Sequence, residues 1–272
     1  MRQEVFRFAP SPNGRLHLGH ACSALLNAQA ARESGGRLLL RIEDIDQPRC
    51  PRHLAAAVFE DLAWLGLCWE EPVRFQSGHF ADYQARQASL AGMGLLYPCF
   101  CSRKTLAAAA GPRDPDGQPL YPGTCRNLSE TGRAARIAAG EPHALRLDMA
   151  AAAAGPVAWQ EAGEGTVRFD PAQWGDVILA RRDIGTSYHI AVVVDDALQG
   201  VTQVIRGRDL YAATAVHRVL QGLLGLPAPR YRHHRIIETA GRKLSKSAGD
   251  TSLAALRAAG LSAADVRRQL GF

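Results

Sequence analysis

The stretch of residues 7–20, RFAPSPNGRLHLGH, decides how the chain begins to fold. Its first residues belong to the short apolar run Val5–Phe8, which predicts a strand, and the PSPNG sequence at 10–14 predicts a tight turn. Residues 17–32 are rich in Ala and Leu and contain no proline, which predicts a helix. The start of such a helix presents backbone N–H groups and the positive end of its dipole, an arrangement that suits a phosphate group.

Strand-like and helical segments alternate on either side of the middle of the chain. The run RLLLRI at 37–42 predicts a buried strand, because its leucines are continuous rather than alternating with polar residues. Residues 51–67 and 210–224 predict helices, and YHIAVVVDD at 188–196 predicts a further buried strand. Strands that alternate with helices indicate a parallel sheet in an α/β fold.

A Pro-, Gly- and Asp-rich sequence at 111–123 interrupts this alternation and predicts an irregular loop. We therefore expect one α/β domain formed by residues 1–95 and 186–248, with residues 96–185 inserted into it. A short helical tail is expected at 249–272, where residues 253–270 have an amphipathic helical pattern.

Composition limits the class of protein. The chain has 272 residues with 47% apolar and 21% charged residues, which favours a soluble globular protein and argues against disorder. No apolar run reaches the roughly 18 residues of a membrane helix, and the N-terminus lacks the apolar core of a signal peptide, so we expect a cytoplasmic protein without a membrane partner. The net charge of +6 is compatible with a polyanionic partner.

Two short motifs carry the chemistry. In the HLGH sequence, the imidazoles of His17 and His20 can donate hydrogen bonds to phosphate oxygens, and Gly19 removes a side chain where a nucleotide could lie. In the KLSKS sequence at 243–247, Lys243 and Lys246 can hold a triphosphate and stabilise the departing pyrophosphate. The alternatives are a helix cap with two solvated histidines and a solvated basic loop.

HLGH followed by KLSKS resembles the paired signatures of the class I aminoacyl-tRNA synthetases. The resemblance narrows to the glutamyl group through RFAPSPNG at 7–14, RIEDID at 41–46, the 188–196 segment and VIRGRD at 204–209. It implies a Rossmann-type nucleotide-binding catalytic domain that uses ATP with Mg²⁺. The residues implied in ATP binding and catalysis are Pro10, His17, Gly19, His20, Lys243 and Lys246.

The same resemblance implies a binding pocket for L-glutamate. It places Arg7 and Arg206 on the acidic side chain, Glu43 on the substrate ammonium and Tyr188 in the pocket wall. Ala9 and Ser11 complete the implied set. Each of these residues by itself could equally be a surface ion-pair partner, and only the joint pattern favours the pocket.

A cluster of cysteines in the insertion predicts a metal site. Cys99, Cys101 and Cys125 bracket the irregular loop, which suggests a structural Zn²⁺ in place of a local core. No Cys or His within the segment offers the usual fourth ligand, so three reduced, unliganded thiols remain an alternative. The resemblance implies a Cys-x-Cys…Tyr-x₃-Cys set in which the phenolate of Tyr121 is the fourth ligand, within an acceptor-binding-like subdomain. Cys22, Cys50 and Cys68 are isolated.

Length distinguishes between members of the glutamyl group. After Ser247 only 25 residues follow (272 − 247), so no anticodon-binding domain is expected. The chain therefore resembles the branch that transfers glutamate to the queuosine base at the wobble position of tRNA(Asp), and a monomer is expected. The alternatives are a truncated glutamyl-tRNA synthetase that charges the 3′ end of tRNA(Glu), and a non-catalytic tRNA-binding paralogue.

Overall fold

The computed structural model describes residues 3–107, 111–239, 242–243 and 251–272. The first part confirms the predicted strand and helix, with a bend at 13–14 between them, and continues the alternation. Its elements are β1 (Val5–Phe8), α1 (Leu18–Ser34), β2 (Arg37–Ile42), α2 (Arg52–Trp64), β3 (Glu70–Phe75) and α3 (Phe80–Gly92).

The predicted insertion contains short elements. They are β4 (Leu96–Cys99), α4 (Arg103–Ala107), α5 (Glu130–Ala138), β5 (Ala144–Leu147), α6 (Met149–Ala152), β6 (Val157–Glu161), β7 (Gly165–Phe169) and β8 (Ile178–Ala180). Three of these strands form an antiparallel sheet of their own in the order β4-β5-β8.

The α/β alternation resumes afterwards and leads into the tail. The elements are α7 (Tyr188–Leu198), β9 (Gln203–Gly207), α8 (Ala213–Leu223), β10 (Arg230–His234), β11 (Glu238–Thr239), β12 (Arg242–Lys243), α9 (Leu253–Ala258) and α10 (Ala263–Gln269). The tail is thus two short helices rather than one, because Gly260 adopts a φ of 89° between them.

The main sheet confirms the predicted α/β class with its largely parallel strands. Its order is β3-β2-β1-β9-β10-β6-β7, and only the β6–β7 pair is antiparallel. β6 joins the sheet by pairing with β10, where Glu161 lies opposite Tyr231. The segment 96–185 therefore contributes to two sheets, a detail that the sequence did not suggest; the domain boundaries themselves stay a prediction.

The prediction of a strand at 188–196 is wrong, because these residues form α7. Every residue from Ile190 to Asp196 is buried, so no polar face reveals the helical period. A continuous apolar run rich in β-branched residues has the same pattern in a buried strand and in a buried helix.

The tail packs against the start of α1. Leu253 and Val266 are fully buried in the same cluster as Leu16, and the backbone N–H of Leu253 donates to the carbonyl of Leu16 across 2.8 Å. An isolated antiparallel bridge pairs Ser252 with His17 beside this bond. The HLGH sequence at the start of α1 is thus packed against residues near the other end of the chain. Among the described helices, none is both long enough and apolar enough to cross a membrane.

Candidate active site

A cleft of about 800 Å³ opens at the carboxyl edge of the parallel strands, between the start of α1, the start of α7 and the end of β9. The structure brings ten of the predicted site residues together in its lining: Arg7, Ala9, Pro10, Ser11, His17, Gly19, His20, Glu43, Tyr188 and Arg206. Of the two predicted lysines, Lys243 is described only as a backbone position in β12, opposite Glu238. Its side chain and the whole of Lys246 lie outside the described residues.

The two histidines of HLGH cap their own helix. His17 is the N-cap of α1, and its Nδ1 accepts a hydrogen bond of 3.1 Å from the backbone N–H of Gly19. The Nδ1 of His20 accepts in turn from the backbone N–H of His17 at 3.3 Å. Because both Nδ1 atoms accept, each neutral ring carries its proton on Nε2. At this helix start, the Nε2–H groups are therefore the ring donors that the two histidines could offer to a ligand.

The side chain of His17 gives a steric reason for glycine at position 19. A Cβ atom at this position would lie 3.0 Å from Cε1 and 3.1 Å from Nδ1 of His17. A larger residue would therefore push the His17 ring out of its capping position. This contact is separate from the predicted role of Gly19 toward a nucleotide, which stays a prediction.

Arg7 and Glu43 belong to one buried ionic network. Asp196 Oδ1 accepts from Arg7 Nε at 3.2 Å and from Arg41 Nη1 at 2.8 Å, and Arg41 Nη2 reaches Glu43 Oε1 at 3.1 Å. Arg41 is fully buried. Burial raises the pKa of the Asp196 carboxyl, but the charges of Arg7 and Arg41 outweigh it, so the pKa lies below the ordinary 3.8. The network fixes where the two lining side chains point.

Glu43 offers a carboxylate to a cationic ligand. Its backbone N–H donates to the carbonyl of Pro10 at 3.0 Å, which holds the end of β2 against the turn after β1. Its side chain is only 12% exposed, and burial raises its pKa although Arg41 and Arg7 pull in the opposite direction. A substrate ammonium beside it would restore the missing stabilisation of the ionised form.

Arg206 is a buried guanidinium with no carboxylate within 4 Å among the described side chains. Its five N–H groups all meet neutral acceptors. These are His233 Nε2 (3.0 Å), Tyr188 Oη (3.3 Å), His217 Nδ1 (3.2 Å), the Leu210 carbonyl (3.1 Å) and Thr214 Oγ1 (2.8 Å). Burial raises the pKa of Tyr188 to about 12, so its hydroxyl stays protonated. A full positive charge in such surroundings favours an anionic ligand in the cleft.

Sequence reasoning missed the residues that hold these lining side chains in place. Arg41 and Asp196 have a signal in the sequence, because each is a charged residue at or close to the end of a run of apolar residues. His217 and His233 have no such signal, since they approach Arg206 from α8 and β10. Only the packing of separate elements brings these groups together.

The three predicted cysteine ligands meet in the insertion. The sulfur atoms of Cys99, Cys101 and Cys125 all lie within 4.8 Å of one another. Cys101 Sγ is 3.6 Å from Cys125 Sγ and 3.8 Å from Tyr121 Oη, and Tyr121 Oη accepts from the backbone N–H of Cys125 at 2.7 Å. Tetrahedral Zn²⁺ with Zn–S bonds of about 2.3 Å separates its sulfurs by roughly 3.8 Å, so this donor set fits the ion.

The pKa values of Cys99 and Cys101 are shifted in opposite directions. Burial raises the pKa of Cys99, but hydrogen bonds from Tyr121 and Arg146 outweigh it, so the pKa is lowered. Burial, with the neighbouring Cys125 thiol, raises the pKa of Cys101 to about 11. Crowded thiols resist losing further protons until a cation neutralises them, which is typical of a metal-binding cluster.

Comparison with known proteins agrees with this geometry. Residues 4–267 match the family described as tRNA synthetases class I (E and Q), catalytic domain. The chain is 45% identical to the Glutamyl-Q tRNA(Asp) synthetase of Rhodobacter capsulatus, covering 98% of this chain and 100% of that protein. It is 41% identical to Glutamate–tRNA ligase 2 of Nitrosococcus oceani, covering 93% of this chain and 56% of that protein.

A solved structure shows the same fold. The glutamate-tRNA synthetase of Elizabethkingia anophelis superimposes with a TM-score of 0.78 at 25% identity, over 92% of this chain. This chain spans only 54% of that structure, about half its length. The chain belongs to the glutamyl and glutaminyl branch of the class I tRNA synthetases, matches their catalytic domain, and is a ligase.

Proposed function

We propose that this chain activates L-glutamate with ATP and transfers it to the queuosine base at the wobble position of tRNA(Asp). The observation that carries the proposal is the buried Arg206, which faces a cleft with an HLGH helix start and has only neutral partners among the described residues. It supports an acidic amino acid as the substrate. Similarity to the Rhodobacter capsulatus protein, over that protein's whole length, supports queuosine as the acceptor.

In the first step, an α-carboxylate oxygen of glutamate attacks the α-phosphorus of ATP, and pyrophosphate leaves. The products are glutamyl-adenylate and pyrophosphate. The Nε2–H groups of His17 and His20 stabilise the charge that develops on the phosphate oxygens, together with Lys246. Arg7 and Arg206 hold the substrate side chain, Tyr188 forms the pocket wall and Glu43 holds the ammonium, so the attacking oxygen is aligned.

In the second step, a hydroxyl of the queuosine cyclopentene-diol attacks the activated carbonyl carbon. The ester forms, AMP leaves, and the hydroxyl proton passes to solvent or to the leaving phosphate. Mg²⁺ accompanies the ATP triphosphate. Cys99, Cys101, Cys125 and Tyr121 would hold Zn²⁺, which when bound cross-links the irregular segment of the insertion.

A labelling experiment tests the proposal. Purified protein is incubated with ATP, labelled glutamate and tRNA(Asp) that either carries or lacks queuosine. We expect label only on the queuosine-containing tRNA, unaffected by prior removal of its 3′-terminal adenosine. Equal labelling of both tRNAs, or label that is lost when the 3′-terminal adenosine is removed, would contradict queuosine as the acceptor.

A separate assay tests the activation step. We expect glutamate-dependent exchange of pyrophosphate into ATP without tRNA. Absence of exchange would contradict the catalytic proposal and favour a non-catalytic tRNA-binding protein.

A further inference from the structure

A chain of buried hydrogen bonds leads from Arg206 to a carboxylate on another element. Arg206 Nε donates to His233 Nε2 at 3.0 Å, and the other ring nitrogen of His233, Nδ1, lies 2.8 Å from Glu161 Oε2. All three residues are at most 8% exposed. Arg206 is on β9, His233 on β10 and Glu161 at the end of β6, so the chain crosses three neighbouring strands.

The proton of His233 has only one possible position. Burial and the charge of Arg206 lower the pKa of His233 to about 3, so the ring is neutral and carries a single proton. Because the Nε–H of arginine can only donate, Nε2 of His233 must accept. The proton therefore lies on Nδ1 and is donated to Glu161.

The Glu161 carboxylate accepts the hydrogen bond from Nδ1–H together with two others. Its Oε1 accepts from the backbone N–H of His233 at 2.7 Å, and its Oε2 accepts from the indole N–H of Trp159 at 3.1 Å as well as from Nδ1. Three donors converge on one carboxylate, and a carboxylate is the side chain that offers acceptors alone. The tautomer of His233 is fixed by this arrangement.

We propose that Glu161 and His233 are positioning residues that orient Arg206 for the substrate side chain. His233 holds the Nε edge of the guanidinium, and Thr214 and the Leu210 carbonyl hold Nη2. Nη1 then meets Tyr188, and Arg206 and Tyr188 both line the cleft. The inference rests on the proposed use of glutamate as substrate and adds a role for the inserted strand β6, whose carboxylate acts on the pocket through one imidazole.

The first test uses pyrophosphate exchange to measure KM separately for glutamate and ATP. In Glu161→Gln the amide cannot accept from all three donors, and its NH₂ group favours the other tautomer of His233, whose Nε2–H would oppose Arg206 Nε–H. We expect the KM for glutamate to rise about 10-fold or more, with the KM for ATP within about 2-fold of wild type. Glu164→Gln is the control, because this carboxylate lies in the same hairpin but bonds to Arg208 and Tyr211.

Two variants at His233 test whether an acceptor at the position of Nε2 is enough to restore glutamate binding. The amide oxygen of His233→Gln can occupy the position of Nε2 and accept from Arg206, whereas that of His233→Asn is too short to reach it. We expect His233→Asn to raise the KM for glutamate as Glu161→Gln does, and His233→Gln to recover most of the loss. Equal values for Gln, Asn and wild type, or parallel changes in both substrates' KM, would overturn the proposal.

Nitrogen-15 NMR of the histidine rings gives a readout that is independent of activity. We expect the resonances of His233 in the wild-type protein to report a neutral ring protonated at Nδ1. An Nε2–H tautomer or a charged ring at neutral pH would overturn the proposal even if no exchange is detected. Wild-type protein that shows the Nδ1–H tautomer but no glutamate-dependent exchange would contradict the proposed function and leave the hydrogen-bonded chain in place.

Discussion

Arg7 Nε lies 3.2 Å from Asp196 Oδ1, so a side chain of the first strand is oriented by one from α7, 189 positions later in the chain. The same carboxylate oxygen also accepts from the fully buried Arg41. The lining residues Arg7 and Glu43 therefore belong to one ionic network that holds their side chains in place.

Replacing Asp196 by Asn should weaken both stability and substrate binding. The substitution leaves Arg41 and Arg7 with less compensating charge in a buried position, although Asp195 and Glu43 still face Arg41. We expect a loss of about 3 kcal/mol in the free energy of unfolding, measured by urea denaturation, and a higher KM for glutamate. A loss no larger than that of the exposed Glu33→Gln would contradict this role.

Asp196 should also contribute to the acid sensitivity of the fold. Its pKa in the folded protein lies below the ordinary 3.8, so the unfolded chain takes up the proton first as the pH falls. The stabilisation is complete above about pH 5 and is lost as the pH falls through 3.8 toward the folded value. We expect the unfolding free energy of Asp196→Asn to fall less steeply between pH 5 and 3 than that of wild type; equal slopes would contradict the assignment.

The capping and catalytic roles of His17 can be separated. Asparagine is a good N-cap but offers no imidazole, so His17→Asn should keep the unfolding free energy within about 0.5 kcal/mol of wild type, while His17→Ala should lose about 1 kcal/mol. In both variants we expect glutamate-dependent pyrophosphate exchange to fall about 100-fold or more. Wild-type exchange in His17→Asn would show that the histidine is only a helix cap.

We expect Lys246 to be needed for the activation step but not for the stability of the fold. An ammonium group near the leaving pyrophosphate stabilises its charge, so Lys246→Ala should lower exchange about 100-fold or more while circular dichroism shows an intact fold. Lys104→Ala, at an exposed position on α4, is the matched control. Near-normal exchange in Lys246→Ala would refute its role.

The cysteine cluster predicts about one Zn²⁺ per chain in freshly purified protein. Cys125→Ser removes a buried ligand, so we expect loss of the metal and a lower melting temperature. Cys68→Ser is the control, because Cys68 is exposed and outside the cluster. Tyr121→Phe should retain zinc with lower affinity, and wild-type protein without stoichiometric zinc would refute the site.

Local sequence was enough to predict the elements whose ends have distinctive chemistry. The HLGH helix start and the RLLLRI strand are each decided by residues within a few positions of one another. The prediction of a strand at 188–196 was wrong because the segment is buried on all sides. Its sequence therefore has no polar face whose period would distinguish a helix from a strand.

The candidate site, like the fold, could be predicted only in part from the sequence. Arg7, Glu43, Tyr188 and Arg206 could be named from family-like motifs, and the structure places them in one cleft. Their supporting contacts could not be named, because each joins residues far apart in the chain. Glu161 reaches His233 over 72 positions only because β6 leaves the insertion and pairs with the main sheet.

The bond between Leu253 and the carbonyl of Leu16 has a consequence for the order of biosynthesis. The chain emerges from the ribosome N-terminus first, so the HLGH turn is made early but lacks its packing partner for 237 residues (253 − 16). Until the segment around Leu253 arrives, the Leu16 carbonyl and the apolar surface around it face water. A nascent or prematurely terminated chain would therefore hold an incompletely packed HLGH helix start, and the proposed activation of glutamate would require the segment around Leu253 and Val266 to be in place.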